Sequence, residues 1–334
     1  MFSESVEVHR PTPQSADAPN CDRLDMRVTA IRYAGPDTNL YELRPLSKDL
    51  LPVFKAGAHV DLFLPTGLIR QYSIASDPED RSRYVLGIKR DASGRGGSRF
   101  VHDSFRAGTV VPMSLPRSTF SLVEDGKPAV FIAGGIGVTP FLSMAQRATC
   151  IDLNWKLYAA VRRRVELPIL SPVRSQGERI TTHVDEEHDG RPIDLAAIVR
   201  AVSPDTHLYC CGPSPMLKAF EQETASRESK YNHIERFTND APVGAASGYT
   251  VQLARSNLTV QIEPGQTIIE ALRDKGVRVT TSCEQGVCGS CETRIVAGRP
   301  DHHDVILTDD EKASNKTMMI CCSGSLDDVL VLDL

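Results

Sequence analysis

The chain has 334 residues, of which 41% are hydrophobic and 24% are charged, and its formal net charge is −5. That length exceeds the size at which a single hydrophobic core keeps growing, so we expect several domains. The mildly acidic balance gives no electrostatic case for nucleic acid, and no run approaches the ~18 apolar residues of a membrane span. Residues 1–22 form a polar tail without the basic and apolar segments of a signal peptide, which predicts a cytoplasmic protein with reduced thiols.

Residues 23–124 consist of short apolar runs separated by glycine and proline, a spacing that predicts a small antiparallel β-barrel. The predicted strands lie at residues 26–28, 41–43, 59–64, 70–75, 84–88 and 110–115. Within the fourth run, period-two alternation places Arg70, Tyr72 and Ser76 on one face and Ser73 on the other.

A basic, glycine-rich loop at residues 89–98 follows the fifth run and leads into a predicted helix over residues 99–105. A phosphate monoester needs several N–H donors and a guanidinium, which such a loop supplies. The candidate phosphate-binding residues are Lys89, Gly94, Arg95, Gly96, Gly97 and Ser98. A flexible, exposed turn with incidental arginines is the alternative that this segment alone leaves open.

Residues 125–238 change to an alternation of strand, glycine turn and helix. This pattern predicts an α/β nucleotide-binding domain with a parallel sheet. The predicted strands lie at residues 129–133, 155–161, 180–183 and 207–211, and the predicted helices at residues 139–148 and 193–202.

A glycine turn made of Gly134, Gly135 and Gly137 follows the first of these strands, with Thr139 as the predicted N-cap and Pro140 in the first helical turn. Free backbone N–H groups and the helix dipole make such a turn attractive to pyrophosphate. Taken alone, the turn is equally typical of an ordinary strand-to-helix connection.

A second loop supports the nucleotide interpretation. The strand at residues 207–211 ends in Cys211, Gly212 and Pro213, which places a thiol and a sharp turn at the carboxyl edge of the same sheet. Ligands bind at that edge in open α/β sheets, so the two loops predict a ligand crevice. Burial as a small hydrophobic residue is the alternative for a cysteine here, and we prefer it for Cys210.

Residues 239–248 are rich in glycine, alanine and serine and predict a linker to a third domain at residues 249–334. The first elements of this domain are predicted as strands at residues 251–253 and 258–262 and a helix that runs from a capping box at Thr267 and Glu270 to Gly276.

Four cysteines in this third domain, Cys283, Cys288, Cys291 and Cys321, carry the C-x4-C-x2-C spacing with a distant fourth member. That is the ligand pattern of a plant-type [2Fe–2S] cluster, which makes the chain an electron carrier. A zinc site or disulfides are the alternatives, but zinc sites usually combine two short-spaced pairs, and the glycines between these cysteines suit a loop that wraps a cluster.

The order of these motifs resembles the phthalate dioxygenase reductase family, which includes vanillate demethylase reductases, over residues 24–334. The resemblance implies a multidomain protein: a β-barrel that binds FMN, an α/β domain that binds NADH, and an α+β (β-grasp) ferredoxin domain with a [2Fe–2S] cluster. It further implies a reductase that passes electrons to a separate Rieske-type oxygenase, and we expect the protein to be a monomer.

The resemblance also assigns residues. It implies that Arg70, Tyr72 and Ser73 hold the flavin and that the loop at residues 94–98 lies at its phosphate. It places Thr139 and Cys211 near the nicotinamide and Phe237 near the flavin. The phrase Ile320-Cys321-Cys322-Ser323 resembles the family's fourth-ligand motif and favours Cys321 over Cys322; a strand, with its alternating faces, would allow only one of the two to face the iron.

Three alternatives remain open from the sequence. After the second α/β strand, Arg162-Arg163-Arg164 precede the first carboxylate, Glu166, whereas NADH enzymes commonly carry a carboxylate there for the ribose, so NADPH stays possible beside NADH. An FAD-containing reductase of a di-iron monooxygenase has the same modules, although its ferredoxin domain usually comes first. A non-enzymatic iron–sulfur redox sensor is the alternative from another class.

Overall fold

The computed structural model describes residues 23–92, 94–239, 244 and 247–334. The predicted tail at residues 1–22 and most of the predicted linker lie outside the described residues. Three main sheets organise the described chain, in the order in which the sequence predicts a barrel, an α/β unit and a third α+β unit. None of the helices in the described ranges has the length and apolar character needed to cross a bilayer.

The first sheet has six antiparallel strands in the order β4-β3-β6-β1-β2-β5. Its strands are β1 (Arg23–Gly35), β2 (Thr38–Pro45), β3 (His59–Phe63), β4 (Ile69–Ser73), β5 (Tyr84–Lys89) and β6 (Val110–Ser114). A bridge between Ile74 and Leu86 joins the two edges of the sheet, so it closes into a barrel around an apolar core. Helix α1 (Gly97–Ser104) begins two residues before its predicted start because Gly96, at φ 85°, forms its N-cap.

The second sheet has five parallel strands in the order β11-β10-β7-β8-β9. Its elements are β7 (Ala129–Gly134), α2 (Thr139–Cys150), β8 (Trp155–Val161), β9 (Ile180–Val184), α3 (Leu195–Arg200), β10 (His207–Cys211), α4 (Ser214–Thr224) and β11 (Asn232–Glu235). Helix α3 is shorter than predicted because Asp194 caps it by accepting a hydrogen bond from the Ala197 N–H at 2.9 Å.

The prediction that Thr139 caps α2 is wrong. Residues 135–138 form a 3-10 turn, so the helix continues from it and Val138 occupies the capping position. Thr139 is the first helical residue, and its hydroxyl donates to the Ile136 carbonyl at 3.0 Å. Pro140 lies in the first turn, as predicted.

The third sheet is mixed, with strand order β13-β12-β18-β14-β16 and a parallel pairing between β12 and β18. Its elements, with a separate two-stranded ribbon of β15 and β17, are β12 (Tyr249–Leu253), β13 (Leu258–Ile262), α5 (Ile268–Asp274), β14 (Glu292–Ala297), β15 (Pro300–Asp301), α6 (Asp309–Ser314), β16 (Thr317–Met319), β17 (Gly324–Ser325) and β18 (Val329–Leu332). The predicted capping box at Thr267 and Glu270 is present and opens α5, which packs on this sheet in a β-grasp arrangement.

The barrel and the α/β unit share one hydrophobic core, which we call the apolar seam. Buried barrel residues such as Leu40, Ala75 and Val85 belong to the same cluster as Phe131 and Phe141 of the α/β unit. Two polar contacts reinforce this seam: the Gly57 N–H donates to Ser143 Oγ at 3.0 Å, and Gln146 donates to the Ala75 carbonyl at 3.1 Å. The seam therefore fixes the barrel strands against the start of α2.

Candidate functional site

A cavity of about 1070 Å³ lies where the barrel, the α/β unit and the third unit meet. Many of the predicted site residues line it, although they come from distant parts of the sequence. They are Arg70, Tyr72, Ser73, Lys89, Gly94, Arg95, Gly97, Ser98, Thr139, Phe237 and Cys283. The fold therefore brings the predicted flavin, nicotinamide and cluster residues to a single space.

Strand β4 supplies a buried hydroxyl to this cavity. Tyr72 Oη is shielded from solvent and has no hydrogen-bond partner among the described residues. Burial raises the pKa of Tyr72, so the phenol stays protonated and can donate. His59 Nδ1 is likewise unpartnered, and burial followed by the Arg117 charge lowers the pKa of His59 to about 4. Two unpartnered buried polar atoms beside a large cavity fit a bound polar ring system such as a flavin.

The predicted division of β4 into two faces holds only in part. Ser73, expected on the face opposite Tyr72, lines the same cavity, because β4 ends at Ser73 and the cavity continues around the strand end. Ser76 accepts a hydrogen bond from the Val85 N–H at 3.2 Å and does not line the cavity.

The basic loop closes the cavity on the barrel side. Arg70 donates to the carbonyl oxygens of Ile69 at 2.7 Å and Arg95 at 3.1 Å, which holds the loop against β4. A Cβ added at Gly97 would lie 2.4–2.9 Å from the Nε, Cγ and Cδ atoms of Arg70, so a side chain there would displace Arg70. Gly96, by contrast, caps α1 and does not line the cavity. The open backbone of this loop and its cationic side chains suit a phosphate.

Arg95 points to a different partner from the one predicted. Its guanidinium donates to the Glu284 carbonyl at 3.2 Å, pairs with the Glu284 carboxylate at 3.3 Å, and contacts the Cys283 carbonyl. These contacts join the basic loop to residues 282–291, which we call the cysteine loop. The predicted role of Arg95 at a phosphate stays a prediction, because the contacts of Arg95 in the structure are to other protein residues.

The two nucleotide-edge loops pack tightly against one another behind the cavity. A Cβ at Gly134 would lie 2.6 Å from Pro213 Cδ, and one at Gly137 would overlap the Cys211 carbonyl, so both positions demand glycine. The residues of this edge that do not line the cavity itself are Gly134, Gly135, Gly137, Cys211, Gly212 and Pro213. Cys211 is fully buried, and it is Glu235 beside it that lines the cavity.

Glu235 is a site residue that the sequence pattern did not single out. Cys211 Sγ lies 3.9 Å from its carboxylate, and desolvation raises the pKa of Glu235 to about 8. Burial raises the pKa of the Cys211 thiol as well, so this pair is neutral at neutral pH. The available signal was its position at the end of the last parallel strand, two residues before the predicted Phe237.

The cysteine loop directs backbone N–H groups at sulfur. Cys283 Sγ accepts from the N–H groups of Gln285 at 3.3 Å and Val287 at 3.4 Å, and Cys321 Sγ accepts from Gly286 at 3.2 Å. Gly286 has φ 69°, a conformation that favours glycine. Hydrogen bonds of this kind to cysteine sulfurs are a feature of [2Fe–2S] sites, and the loop fits that group.

The four predicted ligands lie together. Cys283 contacts Cys288 and Cys321, and Cys321 also contacts Cys291. The described residues contain no group of three or more His, Cys, Asp or Glu side chains placed to hold one metal ion; the four cysteines are free thiols in pairwise contact. Cys288 Sγ further contacts Ser290 Oγ at 3.4 Å.

The expectation that Cys321 and Cys322 lie on a strand with alternating faces is wrong, because both cysteines lie in a turn after β16. The structure separates them by contact. Cys321 contacts Cys283 and Cys291 as well as its neighbour Cys322, whereas the Cys322 thiol otherwise lies 3.7 Å from the Met319 carbonyl and packs against Gly286. Cys321 therefore remains the candidate fourth ligand.

The polar contacts between barrel and cysteine loop form a second junction, which we call the polar seam. It consists of Asp61, Arg95 and Arg117 on the barrel side and Ser282, Glu284 and Ser290 on the loop side. It brings the predicted ligand Cys283 to the edge of the cavity that Tyr72 also lines.

Comparison with known proteins agrees with this arrangement. The model of the 2Fe-2S iron–sulfur cluster binding domain matches residues 251–324, which include all four predicted ligands. Phenoxybenzoate dioxygenase subunit beta from Ectopseudomonas oleovorans is 45% identical over 312 residues, covering 93% of this chain and 97% of that protein. Tetrachlorobenzoquinone reductase from Sphingobium chlorophenolicum is 42% identical over 318 residues, with 93% and 98% covered.

The solved structure of phthalate dioxygenase reductase superposes with a TM-score of 0.75 at 34% identity and covers 93% of this chain and 98% of that chain. The chain belongs to the phthalate dioxygenase reductase family. That structure is described as modular, for electron transfer from pyridine nucleotides to [2Fe–2S]. Membership of the phthalate dioxygenase reductase family confirms the predicted three-unit fold, the oxidoreductase class and the [2Fe–2S] cluster. The roles of individual side chains stay predictions.

Proposed function

We propose that this protein is the reductase component of an aromatic-ring oxygenase or demethylase system. In this proposal it takes electrons from NADH through FMN to a [2Fe–2S] cluster and delivers them to a separate Rieske-type oxygenase. The observation that carries the proposal is the shared cavity, which Tyr72 of the barrel, Thr139 of the α/β unit and Cys283 of the cysteine loop all line. Two relatives are named as a dioxygenase subunit and a phthalate dioxygenase reductase, which supports an oxygenase partner.

The barrel side of the cavity would hold FMN. Tyr72 offers an unpaired buried donor, Ser73 lies beside it, and the loop at residues 94–98 would hold the phosphate. Bound FMN would supply the redox chemistry that links a two-electron nicotinamide donor to a one-electron cluster. Arg70 and Gly97 keep the loop folded against β4, so these residues bind and orient rather than transfer protons.

The α/β side would hold NADH. The glycine turn at residues 134–137 and the Gly212-Pro213 turn supply the pyrophosphate edge, with Thr139, Cys211 and Phe237 near the nicotinamide. Phe237 is 37% exposed at the cavity wall, so its ring can cover the flavin or yield to the nicotinamide.

The arginines after β8 favour NADH over NADPH. Arg164 pairs with Glu187 at 2.5 Å and Arg163 with Glu166 at 3.4 Å, so two of the three guanidinium groups already have carboxylate partners. A ribose 2′-phosphate would have to displace those carboxylates. The monomeric state and the cytoplasmic location stay predictions.

A quinone is a second candidate electron acceptor, because tetrachlorobenzoquinone reductase is so similar over nearly the whole chain. One experiment tests both candidates. The purified protein is reduced with NADH or NADPH without oxygen, its flavin is extracted and identified, and electron delivery is measured to a Rieske oxygenase and to a tetrahalogenated quinone. We expect FMN, faster reduction by NADH, and faster delivery to the oxygenase. Loss of colour only with NADPH, or delivery to the quinone alone, would contradict the proposal.

A further inference from the structure

One buried carboxylate of the barrel is bonded to the start of the cysteine loop. Ser282, directly before Cys283, donates a hydrogen bond to Asp61 Oδ1 at 2.6 Å across 221 positions of sequence. The other oxygen of Asp61 accepts from Arg117 Nη2 at 2.5 Å. The Asp61 side chain is 6% exposed and its bond to Ser282 is buried, whereas the Arg117 side chain is 40% exposed, so the ion pair is only partly shielded from water. A buried carboxylate needs such partners, and losing one is costly, so this contact holds a defined geometry.

The same ion pair also reaches the other end of the loop. Arg117 Nη1 donates to Ser290 Oγ at 3.4 Å, and Ser290 directly precedes Cys291. The serines at both ends of the cysteine loop are therefore tied to one barrel pair. Two points of attachment restrain the loop against rotation as well as translation, which a single hydrogen bond cannot do.

Asp61 is close to the cavity wall as well. In the register of β3 and β4, Asp61 lies opposite Gln71, and Gln71 and the adjacent Tyr72 line the cavity. His59, two residues earlier on the same face of β3, lines the cavity too. The ion pair thus joins the wall of the proposed flavin site to the loop that carries the proposed cluster ligands.

We propose that Asp61 and Arg117 are positioning residues that clamp both ends of the cysteine loop and so set the distance between flavin and cluster. This inference rests on the proposed function. In the step concerned, the reduced flavin loses one electron and the cluster gains it, and no bond forms or breaks. Because the rate of electron transfer falls steeply with distance, a loosened clamp slows this step. Hydride delivery, which the α/β side of the cavity serves, is unaffected.

The test compares Asp61→Asn, Ser282→Ala and Ser290→Ala with Glu42→Gln as a matched control. Glu42 is another shielded barrel carboxylate, 12% exposed and paired with Arg83 at 2.5 Å, but its partners Arg83, Thr29 and Arg44 all lie within the barrel. Stopped-flow absorbance after mixing with NADH separates flavin reduction from cluster reduction. Amide hydrogen exchange of residues 282–291, measured on the oxidised holoprotein without NADH, reports the clamp independently of turnover.

We expect Asp61→Asn to slow cluster reduction at least tenfold, to change flavin reduction less than twofold, and to speed exchange in the cysteine loop. Asp61→Asn keeps only one acceptor oxygen and so cannot accept from both Ser282 and Arg117; the double variant with Ser282→Ala should therefore be slowed by less than the product of the two single effects, since both changes weaken the same junction. Glu42→Gln should match the wild type in all three measurements. If Asp61→Asn does not fold, the two serine variants carry the test, each with a smaller effect of the same sign.

Unchanged cluster reduction and unchanged loop exchange in all three variants would overturn the clamp. Equal effects from Glu42→Gln would also overturn it, because they would show general loosening of the barrel. If NADH does not reduce the wild-type protein, the proposed function is wrong. Amide exchange of the cysteine loop would still show whether Asp61 and Arg117 hold that loop.

Discussion

The barrel makes two junctions of opposite character. It meets the α/β unit through the apolar seam, a continuous core that includes Leu40, Val85 and Phe141. It meets the cysteine loop through the polar seam, which depends on Asp61, Arg95 and Arg117. Apolar burial of that extent is a large, undirected stabilisation, whereas a few hydrogen bonds set position at little net gain.

The difference matches what each junction must do in the proposed mechanism. Hydride transfer needs two rings held in contact, which a shared core provides. Single-electron transfer needs only a suitable distance, which a few directional contacts can define. The chain therefore combines a rigid flavin and nicotinamide unit with an electron exit attached by polar bonds.

The largest expected effect is the loss of the cluster in a variant at Cys321. Cys321→Ser should abolish or severely destabilise the cluster, because this thiol alone of the adjacent pair contacts both Cys283 and Cys291. Cys322→Ser is the matched control and should leave the cluster intact. Visible absorbance and electron paramagnetic resonance of the reduced protein check this. Equal loss from both variants, or loss from Cys322→Ser alone, would refute the ligand assignment.

A side chain at Gly57 should disrupt the apolar seam. Gly57 has φ 90°, and a Cβ there would overlap the Phe120 carbonyl oxygen and the Met144 side chain. Gly57→Ala should lower the free energy of unfolding by on the order of 3 kcal/mol. Gly67→Ala is the control, because Gly67 has a similar φ of 80° but no neighbour within 4 Å, and should cost about 1 kcal/mol. Urea unfolding followed by flavin fluorescence checks both. Equal losses of stability in the two variants would show that the overlap at Gly57 does not destabilise the protein.

Glu235 makes the stability of the α/β unit depend on pH. Its pKa is about 8 in the folded chain and 4.5 ordinarily, so between these values the unfolded state is ionised while the folded state keeps its proton. Stability is therefore lost as the pH rises from about 4.5 to 8. Glu235→Gln removes this loss of stability. At pH 8.5 the free energy of unfolding of this variant should exceed that of the wild type by roughly 1–3 kcal/mol, since solvent at the cavity weakens the desolvation of Glu235. Near pH 4.5 the two proteins should be equally stable. Urea midpoints across pH check the sign; a constant difference would contradict the assignment.

A variant at Arg95 tests the polar seam, because the sequence predicts a phosphate as the partner of Arg95 and the structure shows Glu284. Its side chain is 41% exposed and pairs with Glu284, so Arg95→Ala should cost the junction no more than ~1 kcal/mol. We expect faster amide exchange in the cysteine loop and a less than tenfold change in flavin dissociation constant. Arg90→Ala, in the same basic loop and paired with Asp103 at 3.2 Å, is the control. A tenfold to hundredfold weaker flavin affinity would instead place the guanidinium at the phosphate.

Local signals in the sequence predicted much of this molecule. The spacing of Cys283, Cys288 and Cys291 and the capping box at Thr267 depend only on neighbours in sequence, so both could be read directly. The succession of strands and helices in the α/β unit and its glycine turns were predicted from hydrophobic periodicity and turn chemistry, whereas the order of strands within each sheet was not.

The remaining features depend on contacts between distant residues. The bond from Ser282 to Asp61 spans 221 positions and has no local signature. The contact of Arg95 with Glu284 likewise required the third unit to be placed. The resemblance favoured Cys321 over Cys322, but the accompanying strand argument fails because both residues lie in a turn, which the local sequence does not distinguish from a strand.

The most direct test of the two-junction account is a shortened chain that ends at Asn239. It keeps the apolar seam whole and lacks the cysteine loop, so we predict that it folds, retains FMN and reduces ferricyanide with NADH at the rate of the full chain. It should fail to reduce cytochrome c or a Rieske oxygenase. Full-rate reduction of those proteins would show that the cysteine loop is not the electron exit. Loss of ferricyanide reduction in a folded, flavin-bound protein would show that the hydride site depends on the third unit.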